Sequence, residues 1–280
     1  MKINLPRRIH NVSDSSKPVS PAGKLPTATP LYPRKRAILI GASSGIGAAL
    51  AARLAHEGYM LALLARRSDQ LKTICDEINK NYQETRAMFY QHDVLDTDAI
   101  PDLLREIVAD LGGLDLFIYN AGVNFPPGPD QLNFENDRAM VEINLVGAMA
   151  WLTPVADLFK NMHGGQIVGI SSVAGDRGRV GNPGYNTSKA ALTTYLEALR
   201  NRLTRYGVNV LTVKPGFVET EMLKAAQGAT PFTISTERAV NDIWNAIRKR
   251  KQLIYTASIW RWIMLVIQLT PSVIFRRLSI

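Results

Sequence analysis

The chain of 280 residues has few of the residues that build disulfides or metal sites. It contains one cysteine, Cys75, and its four histidines stand far apart. A single cysteine excludes an internal disulfide and fits a reducing compartment, so we expect a cytoplasmic protein. No zinc-like spacing of cysteine and histidine exists, and we therefore expect no metal. Cys75 lies among apolar residues at helical spacing, which predicts a core position.

Acidic residues are nearly absent from both ends of the chain. Residues 1–36 carry eight Lys and Arg against Asp14 alone, and residues 248–280 carry seven with no acid, a balance of +7 at each end. The body between them carries −5, so the net charge of +9 resides in the ends. Basic ends are typical of proteins that contact nucleic acid or an anionic membrane surface. The chain has no nucleic-acid-binding signature, so we expect no nucleic-acid partner.

Apolar runs are absent from the first 34 residues, which contain six prolines and several serines and threonines. Such a segment buries too little surface to order itself, and no secretory leader is expected in it. We predict a disordered basic arm over residues 1–34.

Short apolar runs alternate with segments of helical periodicity through the rest of the chain. Strands are predicted over residues 37–40, 60–65, 87–92, 114–119, 166–171, 208–214 and 253–255. Apolar strands separated by helices indicate a parallel sheet covered on both faces. We therefore predict a single doubly wound α/β domain of the Rossmann type over residues 35–256, with about seven strands and helices on both faces. A hydrophobic helical tail, residues 257–280, follows it.

A glycine-rich turn joins the first strand to the first helix. Its sequence, Gly-Ala-Ser-Ser-Gly-Ile-Gly, places glycines at Gly41, Gly45 and Gly47. Bare backbone at a helix N-terminus lets the pyrophosphate of a dinucleotide approach N–H donors and the favourable helix dipole. The intervening side chains of the predicted site are Ser43, Ser44 and Ile46, and the two serines are expected to add hydroxyl hydrogen bonds.

The end of the second strand predicts which dinucleotide binds. An NAD site usually has Asp or Glu here to hold the ribose 2′-hydroxyl, but this chain has Ala65 followed by Arg66 and Arg67. Guanidinium groups in place of a carboxylate suit a 2′-phosphate, so NADP(H) is favoured over NAD(H). Arg66 is the expected principal contact, and Arg67 is either a second contact or a solvated helix-start residue.

Three polar residues predict the chemistry. Tyr185 and Lys189 are four residues apart, so a helix would put them on one face, and Ser172 stands thirteen positions before Tyr185. A cation close to a phenol stabilises phenolate and lowers its pKa, which makes a tyrosine useful in acid–base catalysis near neutral pH.

The joint occurrence of these motifs, from about residue 37 to about residue 255, resembles the classical short-chain dehydrogenase/reductase family. The resemblance implies that Tyr185 transfers a proton to or from the reacting oxygen and that Ser172 hydrogen-bonds that oxygen. It also implies that Lys189 binds the nicotinamide ribose. Ser171 is the alternative to Ser172, which the offset of thirteen favours. Asn144 would anchor a proton-relaying water chain, or else serve as a packing residue in a helix.

The same resemblance implies further cofactor contacts at the ends of later strands. These are Asp93 and Val94 near the adenine, Asn120, Ala121 and Gly122 near the ribose, and Pro215, Gly216, Val218 and Thr220 near the nicotinamide. Open α/β sheets place ligands at the carboxyl ends of strands, where all of these residues fall.

The substrate is indicated less directly. Arg177 and Arg179 lie between Ser172 and Tyr185 and are either contacts to a phosphate-bearing substrate or solvated surface residues. The tail from residue 259 to residue 269 is apolar, too short to span a bilayer, and flanked by cations. It suits a helix lying in a membrane interface, or one packed on the domain or in an oligomer interface.

Three segments resemble the sub-branch that reduces a polyprenyl-phosphate-linked keto-pentose. They are Ala-Gly-Asp-Arg-Gly-Arg at residues 174–179, Val-Lys-Pro-Gly-Phe-Val at residues 213–218, and the tryptophan-rich tail. The resemblance implies an NADPH-dependent reductase acting on a lipid-linked carbonyl substrate, peripheral on the inner face of the membrane. The alternatives are a reductase of small soluble or acyl ketones and a catalytically silent NADPH-binding scaffold. We expect a homo-oligomer, either a dimer or a tetramer.

Overall fold

The computed structural model describes residues 35–126, 131–224 and 230–278. Its strands are β1 (Arg36–Ile40), β2 (Met60–Ala65), β3 (Ala87–Gln91), β4 (Leu116–Tyr119), β5 (Gln166–Ile170), β6 (Asn209–Pro215) and β7 (Leu253–Thr256). They form one sheet in the order β3-β2-β1-β4-β5-β6-β7, with every neighbouring pair parallel. The doubly wound fold predicted from the sequence is confirmed. The predicted arm, residues 1–34, lies outside the described residues.

Helices cover both faces of this sheet. They are α1 (Gly45–His56), α2 (Ser68–Tyr82), α3 (Ile100–Asp110), α4 (Phe134–Val141), α5 (Gly147–Met162), α6 (Pro183–Leu203), α7 (Glu221–Lys224), α8 (Thr236–Arg248), α9 (Trp260–Leu269) and α10 (Ser272–Phe275). The buried side chains of α1, α2 and α8 pack on one face. Those of α3, α5 and α6 pack on the other.

Strand β1 shows why the core has two layers. Its side chains alternate between faces, so that Ile38 and Ile40 join the α3–α5–α6 layer while Ala37 and Leu39 join the α1–α2–α8 layer. All four are buried, as expected for a central parallel strand. Cys75 is also in the core, and burial raises the pKa of its thiol to about 12.

Helices α4 and α5 are joined by a π-helical turn, Glu142–Val146. The continuous stretch Phe134–Met162 is long and apolar enough to cross a membrane by length and composition, alone among the described helices. Its apolar character is accounted for by packing, because Trp151 and Phe159 are fully buried against the sheet.

The topology fixes where a ligand can bind. The chain leaves β3 at one edge and returns beyond β1 to form β4, so the connections from β1 and β4 diverge to opposite faces. A crevice opens at the carboxyl ends of strands at such a switch point. The glycine turn after β1 and the segment after β4 both border this crevice.

Candidate active site

A cavity of about 500 Å³ lies at the carboxyl ends of the strands. The predicted residues that line it are Gly41, Ser43, Ser44, Gly45, Ile46, Arg66, Arg67, Asp93, Val94, Asn120, Ala121, Gly122, Ser172, Tyr185, Lys189, Pro215, Gly216, Val218 and Thr220. Two predicted residues are not in the lining. Gly47 packs against the carbonyl group of Gly41, and Asn144 is fully buried.

The glycine turn is pressed against the end of β4. Gly41 has a φ of 81°, and a Cβ atom added there would lie 2.5 Å from the backbone nitrogen of Ala121. A Cβ atom on Gly47 would lie 2.0 Å from the carbonyl oxygen of Gly41. The Asn120 side chain donates to that same oxygen at 2.7 Å. Only bare backbone fits here, which leaves the N-terminus of α1 facing the cavity as a dinucleotide site requires.

Two arginines border the cavity beyond β2. Arg67 donates from one guanidinium nitrogen to the hydroxyl groups of Ser43 at 3.0 Å and Ser44 at 2.8 Å. Arg66 lies 4.0 Å from the carboxylate of Asp93, with most of its side chain exposed. The side chain at the end of β2, Ala65, carries no charge. This cationic rim fits a 2′-phosphate, and the expectation that Arg66 is the principal contact stays a prediction.

Helix α6 carries the proposed acid–base pair. Asn182 caps its N-terminus by accepting from the backbone of Tyr185 at 3.1 Å, and Pro183 occupies the first turn. The Lys189 ammonium lies 5.8 Å from the centre of the Tyr185 ring. It donates to the carbonyl oxygen of Ile170 at 3.0 Å. The i, i+4 geometry predicted from the sequence is therefore present, and it faces the cavity.

The electrostatics differ from the prediction in one respect. Burial raises the pKa of Tyr185, while the Ser172 hydroxyl and the Arg179 guanidinium lower it. Burial also lowers the pKa of Lys189 to about 8. The sequence analysis assigned the lowering of the tyrosine pKa to Lys189. In this structure the pKa of Tyr185 is raised overall, because burial outweighs the lowering by Ser172 and Arg179. Lys189, itself deeply buried, directs its ammonium to the carbonyl oxygen of Ile170.

The two neighbouring serines have different surroundings. The Ser171 hydroxyl contacts α6, donating to the carbonyl oxygen of Lys189 at 2.9 Å and lying 2.7 Å from the hydroxyl of Thr193. Within the part of the chain that the structure describes, the Ser172 hydroxyl accepts from the backbone of Ala174, at 3.1 Å, and it lies beside Tyr185. This geometry favours Ser172 as the group that meets a substrate oxygen.

Asn144 is fully buried in the π-helical turn. Its side-chain oxygen accepts from the backbone nitrogen of Val123 at 2.7 Å. Its amide nitrogen donates to the Val123 carbonyl oxygen and to the Ser188 hydroxyl, both at 3.0 Å. Asn144 therefore ties the segment after β4 to α6, and its place in a proton relay stays a prediction.

The tail helix α9 packs on the domain beside the catalytic segment. Its buried residues Trp260 and Met264 form a cluster with Val173, which directly follows Ser172. Trp260 also lies edge-on to Phe217, with ring centres 5.6 Å apart. One side of α9 therefore packs on the domain, which is one of the alternatives that the sequence left open.

Arg177 fixes the tail to this segment. Its guanidinium donates to the carbonyl oxygens of Ile267 and Thr270 at the end of α9, the latter at 2.6 Å, and stacks 3.9 Å from the Phe275 ring. Next to it, Asp176 forms a buried ion pair with Lys214. Arg177 is therefore a structural residue, neither a phosphate contact nor a solvated side chain.

Sequence reasoning missed several residues around the cavity, among them Asn124, Asn182, Phe217 and Met222. The side chain of Asn182 donates to that of Asn124 at 2.7 Å, which joins two loops. The sequence Asn182-Pro183 is a helix-start signal, and it would have identified Asn182.

The fold and the cavity define a dinucleotide-dependent oxidoreductase. A family model described as short chain dehydrogenase matches residues 35–230, and the chain belongs to the short-chain dehydrogenase/reductase family. It is therefore an NAD(P)-dependent oxidoreductase that acts on alcohol and ketone groups, as predicted.

Individual proteins support this assignment. The chain is 36% identical over 206 residues to an uncharacterized oxidoreductase of Myxococcus xanthus, covering 74% of this chain and 81% of the relative. It is 32% identical over 191 residues to the NADP-dependent 3-hydroxy acid dehydrogenase of Schizosaccharomyces pombe, covering 67% and 73%. A solved short-chain dehydrogenase from Sphingobium yanoikuyae in complex with NADPH matches with a TM-score of 0.73 and 26% identity, over 84% of this chain and 94% of that one.

Proposed function

We propose that this enzyme is an NADPH-dependent reductase that interconverts a ketone and a secondary alcohol, with a lipid-linked, anionic keto-sugar as its substrate. One observation carries the reductase assignment. Tyr185 and Lys189 project from α6 into the same cavity that the glycine turn after β1 borders. An acid–base pair beside a dinucleotide cradle is the arrangement that carbonyl reduction needs.

The cofactor is NADP(H). Arg66 and Arg67 border the cavity where an NAD site would have a carboxylate, and Ala65 occupies that position. The related 3-hydroxy acid dehydrogenase is NADP-dependent, and the matching Sphingobium structure holds NADPH. When bound, the cofactor supplies the hydride.

The residues of the chain then have distinct roles in the proposal. The Tyr185 hydroxyl donates a proton to the carbonyl oxygen as hydride arrives, and takes it back in the reverse direction. The Ser172 hydroxyl donates a hydrogen bond to the same oxygen and stabilises its developing negative charge. The Lys189 ammonium holds the nicotinamide ribose. Ser172 and Lys189 are buried and Tyr185 is half-buried, which limits the access of water to the reacting atoms.

The substitution Tyr185→Phe tests the assignment. It removes only the transferable proton, so turnover should fall by about 10²- to 10⁴-fold while NADPH affinity stays unchanged. Tyr195→Phe, on the same helix and away from the cavity, is the matched control and should keep full activity. NADPH oxidation and fluorescence titration of NADPH measure the two quantities. Full turnover by Tyr185→Phe would refute the role of Tyr185.

The lipid-linked part of the proposal is supported by the outer side of the tail. Trp262, Val266 and Leu269 are 62%, 67% and 74% exposed and share one side of α9. The cations Arg261 and Arg276 are exposed in the same tail, and residues 248–280 contain no acid. Exposed apolar and cationic residues together suit an anionic membrane surface. The proposal places the enzyme in the cytoplasm, bound peripherally to the membrane.

Vesicle sedimentation tests this part. The full chain should pellet with phosphatidylglycerol vesicles and stay in solution with phosphatidylcholine vesicles. Val266→Ser combined with Leu269→Ser should abolish pelleting without changing NADPH binding, because both side chains point away from the domain. A full chain that stays in the supernatant with anionic vesicles would exclude membrane contact.

A reductase of small soluble or acyl ketones is the second candidate, favoured by the similarity to a 3-hydroxy acid dehydrogenase. NADPH oxidation measured against lipid-linked keto-sugars and 3-oxo acids in parallel distinguishes the two. A homo-oligomer, either a dimer or a tetramer, remains part of the proposal, and light scattering of the purified chain measures it.

A further inference from the structure

Arg179 is a cation placed inside the active-site cavity. It lies in the loop between Ser172 and Tyr185 and lines the same cavity as both. The loop is held in place there, because the Asn186 side chain donates to the Arg179 carbonyl oxygen at 3.2 Å. The guanidinium is close enough to Tyr185 to lower the pKa of that phenol. Arg179 therefore stands next to the reacting atoms of any bound ketone.

The guanidinium of Arg179 has no counterion within the described ranges. No carboxylate of those residues comes within 4.0 Å of it. The nearest acid along the chain, Asp176, is already paired with Lys214 and accepts from the Tyr255 hydroxyl at 2.9 Å. Burial nevertheless lowers the pKa of Arg179, so the charge is partly withdrawn from water.

Arg177, two positions earlier, shows the contrast. One nitrogen of its guanidinium donates to carbonyl oxygens at the end of α9, and the group stacks on the ring of Phe275. A partly buried cation without such partners lowers stability unless a ligand compensates it. A ligand that enters the cavity and compensates the charge would explain why Arg179 is placed there.

We propose that Arg179 binds an anionic group of the substrate, a phosphate or a carboxylate, and so selects ketones that carry a negative charge near the carbonyl. The inference rests on the proposed reductase function and deepens it. The planar guanidinium binds such groups through paired hydrogen bonds, which fixes orientation as well as position. Arg66 and Arg67 border the cavity after β2, so the cofactor's 2′-phosphate and the substrate's anion have separate cations.

Two sources of this chemistry are distinguished by pairs of ligands with and without the anionic group. The full chain is saturated with NADP⁺ and titrated by calorimetry with farnesyl phosphate and farnesol, and with 3-oxodecanoate and 3-decanone. The first pair represents a lipid phosphate, and the second represents a 3-oxo acid. Saturation with NADP⁺ occupies the other arginine site, so the added anion reports on the substrate side.

The proteins compared are the unaltered chain, Arg179→Met, Arg179→Lys and Arg202→Met. Arg202 is an exposed arginine near the far end of α6, so its substitution makes the same charge change outside the cavity. Affinity for NADP⁺ is measured for every variant and should be equal, which shows that the fold and the cofactor site are intact.

The unaltered chain should bind the anionic member of at least one pair more tightly than its neutral counterpart. Arg179→Met should lower the affinity for that anion by about ten- to a hundredfold, since one charge-assisted contact is lost. The affinity for the neutral ligand should stay unchanged. Arg179→Lys should retain part of the preference, and Arg202→Met all of it.

Equal binding of charged and neutral ligands by the unaltered chain would overturn the inference, as would anion binding by Arg179→Met at the original affinity. The proposed function fails separately. That failure would appear as no NADPH oxidation with any ketone, even where the anion preference depends on Arg179.

Discussion

The two halves of the cavity are built in different ways. The cofactor half consists of backbone in close contact, as where Gly41 and Gly47 pack against the end of β4 with no room for a side chain. The substrate half borders a segment that long side chains tie to distant parts of the chain, as where Arg177 reaches the end of α9. Backbone contacts suit a cofactor that many enzymes share, whereas side-chain contacts change readily with the substrate.

The largest effect that would test this contrast is expected at Gly47. Because a Cβ atom there would lie 2.0 Å from the Gly41 carbonyl oxygen, Gly47→Ala must displace the turn and should abolish measurable NADPH binding. Gly178→Ala is the matched control, since nothing lies within 4 Å of its added Cβ atom. Fluorescence titration of NADPH measures both. Normal binding by Gly47→Ala would show that the turn is not as rigid as its packing indicates.

A smaller effect is expected in the substrate half, at two tryptophans of α9. Trp260 is 4% exposed and packs on Gly216 and Phe217, whereas Trp262 is 62% exposed. Trp260→Ala should lower the free energy of unfolding by about 3–5 kcal/mol. Trp262→Ala should change it by less than about 0.5 kcal/mol.

Urea denaturation measures the two losses. If Trp260→Ala remains folded, its KM for ketone should rise more than its Kd for NADPH, because Trp260 packs on Val173 beside Ser172 and reaches the predicted cofactor residues at Gly216, away from the glycine turn. Equal losses at the two tryptophans would mean that the tail does not dock on the domain in solution.

A more modest effect, on the preference for NADPH over NADH, is expected at Arg67. Arg67→Met should weaken NADPH binding by about tenfold through loss of a charge-assisted contact, and leave NADH binding unchanged. Lys72→Met removes an exposed charge from α2, the helix that begins directly after Arg67, and serves as the control. A parallel loss for both nucleotides would indicate that Arg67 supports the turn through Ser43 and Ser44 instead of binding the 2′-phosphate.

The smallest effect concerns the stability of the nucleotide-free enzyme. Since burial lowers the pKa of Lys189 to about 8, the unfolded chain binds more protons than the folded chain between about pH 8 and the ordinary lysine value near 10.4. This lysine therefore makes the free energy of unfolding rise with pH through that window. Lys189→Met should be the more stable protein at pH 7, by on the order of 1 kcal/mol, with a gap that narrows toward pH 10.

Urea denaturation at pH 7, 8.5 and 10 measures this gap. Lys80 is exposed, so Lys80→Met is the control, and its free energy of unfolding should differ from that of the unaltered chain by the same amount at all three pH values. A gap that stays constant with pH would contradict the lowered pKa of Lys189.

Most of the fold could be predicted because its signals are local. Short apolar strands alternate with helical periodicity, and this pattern predicted all seven strands to within a few residues. The position of Ser172 relative to Tyr185 was predictable for the same reason, since the spacing lies within one stretch of chain.

The rest depends on contacts across the fold. Arg177 meets its acceptors ninety residues further along the chain, so nothing near it in sequence indicated a structural role. The pKa of Tyr185 depends on burial and on Arg179, and neither follows from the spacing of Tyr185 and Lys189. Periodicity showed that the tail is apolar, but not which of its sides would pack on the domain.

The attachment made by Arg177 has a consequence for protein engineering. A chimera that replaces the C-terminal helices with those of a relative would leave this guanidinium facing a helix end of different length. The loop from residue 173 to residue 179 and the segment after β7 should therefore be exchanged together, as one cassette.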